Sequence, residues 1–167
     1  MRCFIAAWPD PPTRVALAAV SEDVRQRVAH RRATRIDDMH LTLAFIGNLG
    51  DEDAFAVADA VAKLRFRPFA WRLDTLGFFD PAGVVWVGAR RESPKPLLAL
   101  DDRTRAMLDR FDLDYDRRPL TPHVTLLRGV RRFDVERVAP IAWRIDSIAL
   151  YRSAPAGQTA RYARVRP

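Results

Sequence analysis

A single cysteine, Cys3, stands in the 167 residues, so neither an internal disulfide nor a cysteine-cluster metal site can form. Its place in the apolar run Cys3-Phe4-Ile5-Ala6-Ala7 marks a buried structural thiol rather than a nucleophile, and redox chemistry is not expected. Lysine is nearly missing: only Lys63 and Lys95 occur, although Lys and Arg together number 28. The positive charge is therefore carried by guanidinium groups, whose planar forks suit phosphate better than a point ammonium does. Long hydrophobic runs are missing too. The opening Met1 to Trp8 is apolar for few residues and runs into Pro9, Pro11 and Pro12, so neither a signal peptide nor a membrane span is expected, and the protein reads as cytoplasmic. There is no glycine-rich phosphate loop, no Gly-x-Ser-x-Gly turn and no Cys/His nucleophile pair, which sets aside the mechanisms that depend on them.

What is present is a hydrophobic content of 49%, enough for the core of one domain or of two closely joined halves. A net charge of +7 and a pI near 10.6 point to a polyanionic partner, nucleic acid first. Arginine preference also follows from genome composition, so charge alone does not decide the matter.

Periodicity predicts a buried strand over Cys3–Ala7 and a helix that starts with Asp10 as N-cap and Pro11 at the first helical position. Leu17, Val20, Val24 and Val28 form its apolar stripe, with Arg14, Arg25 and Arg32 off it. His30, among Arg27, Arg31 and Arg32, is expected as a solvated residue at that helix's C-terminal end. Further strands are predicted over His40–Ile46, Trp71–Phe79 and Val84–Gly88, and further helices over Asp51–Leu64 and Pro94–Arg110. The turn Asp80-Pro81-Ala82-Gly83 joins two of the strands.

Two of the three histidines open the same short phrase, His40-Leu41-Thr42-Leu43 and His123-Val124-Thr125-Leu126. The likeness extends further: Trp71 to Phe79 matches Trp143 to Tyr151 nearly pair by pair in size and polarity. A duplicated unit explains both, running from histidine strand through a helical stretch to the tryptophan strand and then into Val84–Gly88 or Arg161–Val165. The predicted fold class is thus α+β: two lobes related by a pseudo-twofold axis, each a small sheet backed by helices, with a cleft between them.

In a strand, alternate side chains face the same way, so His40 shares a face with Thr42 while Leu41, Leu43 and Phe45 share the other. His123 and Thr125 are related in the same manner. Opposed faces would put two imidazoles and two hydroxyls into one cleft. That set suits in-line phosphoryl transfer, which needs a base at the entering oxygen and an acid at the leaving oxygen, and imidazole titrates near neutrality. The hydroxyls would donate to the non-bridging oxygens, with backbone amides and an arginine adding electrostatic stabilisation. No metal and no cofactor are called for; a site built from His40, His123 and Asp37 or Asp38 lacks any close ligand spacing. Aromatic residues able to stack a base are plentiful, yet nothing local singles one out and most read as core.

The paired phrases, the opening Arg2-Cys3-Phe4-Ile5-Ala6, and the stretches His40 to Gly47 and Arg118 to Leu126 strongly resemble the LigT-like branch of the two-histidine (2H) phosphoesterase superfamily. The resemblance runs nearly end to end and implies one bilobal domain over 1–167, with repeat units at about 40–88 and 123–165. It implies an enzyme, an RNA 2′,3′-cyclic phosphodiesterase that opens the cyclic phosphate to a 2′-phosphomonoester, with related members also joining RNA ends through 2′-5′ linkages. By motif position His123 is similar to the family's general base and His40 to its general acid, although a near-symmetric cleft permits the reverse. Thr42 and Thr125 then hold phosphate oxygens, and Arg128 matches an arginine that follows the second phrase. Strict alternation would put Arg128 on the face opposite His123 unless a bulge re-aims it. Expected partners are RNA or nucleotides with 2′,3′-cyclic phosphate ends, with no membrane and a monomeric state. Rival readings keep the same residues on another cyclic or 2′-5′ nucleotide, or make the chain a non-catalytic RNA-binding module.

Overall fold

The computed structural model describes residues 2–90, 93–154 and 161–167. Strand β1 (Arg2–Ala7) is buried from Cys3 onward and leads to Asp10, whose carboxylate accepts the Thr13 N–H at 2.8 Å. With Pro11 fixing the first turn, this cap starts α1 (Pro11–Arg27), as its sequence predicts. Leu17 and Val24 are fully buried along its stripe. The helix ends before the stripe does, because Val28 turns extended. His30 therefore lies beyond the cap rather than in the last turn, and its Nδ1 bonds the Val28 carbonyl at 2.7 Å.

The remaining elements are β2 (Arg32–Ala33), a 3-10 turn at Ile36–Asp38, β3 (Leu41–Asn48), α2 (Asp51–Lys63), β4 (Phe69–Phe79), β5 (Val84–Gly88), α3 (Lys95–Leu108) running into a second 3-10 turn at Asp109–Phe111, β6 (Val124–Arg128), β7 (Glu136–Ile145), β8 (Ala149–Ser153) and β9 (Tyr162–Arg164). Asp51, Glu52 and Asp53 crowd the first turn of α2, where the helix dipole favours them. The β4–β5 turn closes through Gly83, which takes φ +60 and donates its N–H to Asp80 at 3.0 Å.

All strand pairs are antiparallel, in the order β7-β4-β5-β6-β3-β1-β8-β9 with β2 added to β6. The expected α+β class is observed as one continuous sheet. Two four-stranded halves meet at β3 and β6, joined there by one register pair, Leu41 opposite Val124. Trp71 opposes Trp143 in the β4–β7 ladder, with both indoles buried and ring centroids 5.7 Å apart. Counterparts of the sequence repeat are thus register partners at two places. The halves interlock through the helices as well. Although α1 follows β1 it packs on β6 and β7, and α3 follows β5 yet packs on β3.

Three features depart from the repeat as its sequence reads. The stretch matching Trp71–Phe79 is not one strand: β7 stops at Ile145 and β8 starts at Ala149. The chain changes neighbours there, since β7 pairs with β4 whereas β8 pairs with β1. The second unit also has no helix after its histidine strand, because only residues 129–135 separate β6 from β7 and they begin with Gly129 at φ +73. Finally, β5 lies between β4 and β6 while β9 sits at the sheet's edge beyond β8, so it is β1, between β3 and β8, that matches β5 in position. Residues 155–160 of the second unit lie outside the described residues. β7 starts well before Trp143 and carries Pro140, which an edge strand tolerates because its outer N–H groups need no partner.

Candidate active site

His40 and His123 stand immediately before β3 and β6, one residue from the Leu41–Val124 pair that joins the halves. Both rings are held in the same way. His40 Nδ1 lies 2.6 Å from the carbonyl of Asp38, and His123 Nδ1 lies 2.7 Å from the carbonyl of Thr121. A carbonyl only accepts, so each Nδ1 carries the hydrogen and each neutral ring keeps its Nε2 lone pair for another partner.

Leu41 and Val124 are wholly buried, which turns the neighbouring Thr42 and Thr125 to the opposite, half-buried face. Beyond the threonines alternation breaks, at the same point in both phrases. Ile5 and Ala6 of β1 oppose Ala44 and Thr42, leaving Leu43 as an extra residue; Val85 and Trp86 of β5 oppose Leu127 and Thr125, leaving Leu126 as the extra one. Two consecutive residues then point inward, Leu43 with Ala44 and Leu126 with Leu127, all buried. The next side chains, Phe45 and Arg128, return to the face of the threonines.

This bulge answers the question that strict alternation posed for Arg128, whose charge acts on both His40 and His123. It also corrects the expectation for Phe45, which is not a core residue beside Leu41 and Leu43 but is 54% exposed, its ring 6.0 Å from that of Phe4. Phe45 and Arg128 occupy equivalent places, so one side of the site presents a phenyl ring where the other presents a guanidinium.

The imidazoles differ in their surroundings. His40 is stacked on Trp8, centroids 4.6 Å apart and planes 13° apart, with Phe4 at 5.0 Å and the edge of Tyr162 at 5.4 Å. Burial among these rings pushes its pKa down to about 4, against the Asp38 carbonyl bond, and the charges of His123, Arg128 and Arg161 act in the same direction as burial. Trp8 is itself fixed by donating its Nε1–H to the Asp37 carbonyl at 3.1 Å. His123 meets Phe79 edge-to-face at 4.9 Å and Trp86 at 6.4 Å, and burial followed by repulsion from Arg128 lowers its pKa as well. Trp86 fits because two glycines make room: a Cβ on Gly77 would fall 2.1 Å from the indole, and one on Gly88 would fall 2.9 Å from it.

These aromatic walls are what sequence reasoning passed over. Trp8 looks like the end of an apolar run and Trp86 like core, and only the glycines on β4 and β5 hint that an indole lies across the strands. Arg32 and Arg161 are further residues it passed over; both repel Arg128 and so gather positive charge at its end of the site. Asp37, once a candidate ligand, faces Arg14 at 3.6 Å instead, and Asp38 offers His40 its carbonyl.

An antiparallel sheet backed by helices, with two histidine strands meeting at its centre, defines the class of two-histidine phosphoesterases. The chain belongs to the 2′-5′ RNA ligase superfamily, whose sequence model matches residues 11–156. It is 30% identical over 152 residues to the RNA 2′,3′-cyclic phosphodiesterase of Escherichia coli K12, covering 84% of this chain and 86% of that one. To the protein of the same name from Geobacillus stearothermophilus it is 28% identical over 163 residues, 90% of this chain and 51% of that one. Among solved structures, E. coli LigT complexed with 3′-AMP superposes with a TM-score of 0.83 at 27% identity, covering 99% of this chain and 95% of the other. A protein of Thermus thermophilus gives 0.79 at 25%, covering 99% and 96%. Among the described residues no helix is long and apolar enough to cross a membrane.

Proposed function

We propose that the protein is an RNA 2′,3′-cyclic phosphodiesterase that opens the terminal cyclic phosphate to a 2′-phosphomonoester. The observation that carries this reading is the doubled anchoring of His40 and His123, each with Nδ1–H on a backbone carbonyl and Nε2 left for chemistry, on either side of one residue pair. Water attacks phosphorus in line as His123 Nε2 takes its proton. The P–O3′ bond breaks as protonated His40 gives its Nε2 proton to the departing oxygen. Thr42 and Thr125 donate to the non-bridging oxygens, and Arg128 offsets the charge that builds on them. With a ribose 5′-hydroxyl in place of water as the nucleophile and the 3′ oxygen again departing, the same in-line opening joins two RNA ends through a 2′-5′ linkage.

One observation favours exchanging the two roles. With a pKa of about 4, His40 is neutral near pH 7 before substrate binds, the state a base requires, and it becomes an acid only when the bound phosphate's negative charge raises it. A substrate with sulfur at the 3′ bridging position separates the two assignments, because a thiolate departs without a proton. It should rescue the alanine variant of whichever histidine is the acid and leave the other inactive.

The primary test is turnover of nucleoside 2′,3′-cyclic phosphates by purified protein in EDTA. Formation of the 2′-phosphate, lost in both His40→Ala and His123→Ala while the folded circular dichroism spectrum remains, is the expected result. Turnover only of another ester would reassign the substrate, and nucleotide binding without turnover would make the chain a binding module.

A further inference from the structure

A groove of about 650 Å³ opens between the segment after α1 and the turn after β6, and among the described residues no acidic one lines it. Arg27, Arg31, Arg131 and Arg132 give it its charge. It adjoins Arg128, at the end of β6 away from His123. The Arg31 N–H donates to the Arg128 carbonyl at 3.0 Å, Arg32 is the register partner of Arg128, and the turn starts at Gly129, the next residue. That glycine has a structural reason beyond its φ of +73: a Cβ there would fall 2.6 Å from the stem of Arg31, so the side chain of Arg31 lies across the turn.

The charges in this groove are largely uncompensated. Arg27 is committed, forked onto Glu136 and bonded to Asp23, and forms a wall. Among the described residues, Arg31, Arg32 and Arg131 have no carboxylate partner, and Arg132 approaches Asp134 only at 3.7 Å with both side chains more than four-fifths exposed. A fold that gathers like charges without counter-charges stands to gain by binding a polyanion, and the gain is largest for one whose successive charges follow the groove.

We infer that this groove carries the RNA strand upstream of the cyclic phosphate, with Arg31, Arg131 and Arg132 contacting phosphates that precede the reacting end. The inference rests on the phosphodiesterase reading for the direction of the strand. It makes the substrate an oligoribonucleotide rather than a mononucleotide. With these three phosphates and the reacting one contacted, at a slope of about −0.7 per contact on a log–log salt plot, raising salt from about 50 to about 200 mM should raise KM roughly 50-fold. A mononucleotide, with one phosphate, should respond by only about 3-fold.

The test compares wild type with the triple variant Arg31→Gln/Arg131→Gln/Arg132→Gln on a nucleoside 2′,3′-cyclic phosphate and on a six-nucleotide RNA ending in the same group. The expected result is unchanged turnover of the mononucleotide, with a KM for the RNA raised at least 10-fold and a flattened salt slope. Equal behaviour of the two proteins on the RNA would overturn the inference. Should neither protein turn over the mononucleotide, the phosphodiesterase reading fails. The groove is then judged by fluorescence anisotropy of the same RNA carrying a 3′-phosphate: weakened binding in the triple variant supports it, and equal binding overturns it. Arginine-dependent binding of anionic vesicles without RNA binding would also overturn it.

Discussion

Acid should reveal the burial of His40 as a loss of stability. Its pKa is about 4 in the folded chain and returns to about 6.5 when the chain unfolds. Between those values the unfolded state binds a proton that the folded state refuses, so stability rises with pH across the window and falls as acid is added. At about 1.4 kcal/mol per pH unit the full loss is roughly 3.4 kcal/mol, and about 2.5 kcal/mol of it is reached near pH 4.5. His123 is shifted the same way and adds to the loss, and carboxylates such as Asp116, held at about 2 by Arg118, contribute below that range. A difference measurement removes these shared contributions. In His40→Asn the amide nitrogen stands where Nδ1 stood and can keep the bond to Asp38, while the titrating group is gone. Urea denaturation of both proteins near pH 7 and near pH 4.5 should show wild type losing about 2.5 kcal/mol more than the variant. Equal losses would refute the conclusion that the fold holds His40 neutral among aromatic rings.

Thr42→Ala and Thr125→Ala should each lower kcat/KM about 10- to 100-fold, matching roughly 1.5–3 kcal/mol for a hydrogen bond to a charged group; steady-state kinetics on a cyclic phosphate substrate checks this. Trp8→Ala admits water to His40, so the limb of the pH–kcat/KM profile that depends on His40 should move upward toward the ordinary histidine value. Trp8→Phe, which keeps a stacked ring, should move it less, and an unmoved limb in both would show that the indole does not shield the imidazole. Gly77→Ala forces Trp86 from its place and should cost about 1–3 kcal/mol, read as a lowered Tm, with activity falling because the indole adjoins His123.

The histidine strands were legible in the sequence because a repeated phrase is a local signal: residue type and period-two spacing suffice to set His40 and His123 on the faces of their threonines. The first helix was legible for a similar reason, since Asp10 and Pro11 act within one turn. Legibility stopped where pairing decides. The bulges at Leu43 and Leu126 exist only relative to β1 and β5, so Phe45 was placed on the wrong face and Arg128 was left between two. The break between Ile145 and Ala149 has the same origin, because a chain that copies the side chains of Trp71–Phe79 still changes neighbours midway. Trp8 and Trp86 were hidden for another reason: an aromatic residue that walls a cleft and one that fills a core bury similar surface, and only a partner such as His40 or His123 separates them.

The place of β1 governs when the molecule can be finished. It is paired on one side by β3 and on the other by β8, with Ala6 opposite Ala149, so its second neighbour is made more than 140 residues after it. The half that contains β4 to β7 lies wholly within residues 69–145 and has its partners at hand earlier. The half that carries His40 must wait, its apolar first strand showing an open edge to any other chain until residues 149–153 have been made. The binding of β8 both caps that edge and brings Tyr151 against Trp8, so protection from aggregation and completion of the aromatic wall around His40 arrive in the same folding event.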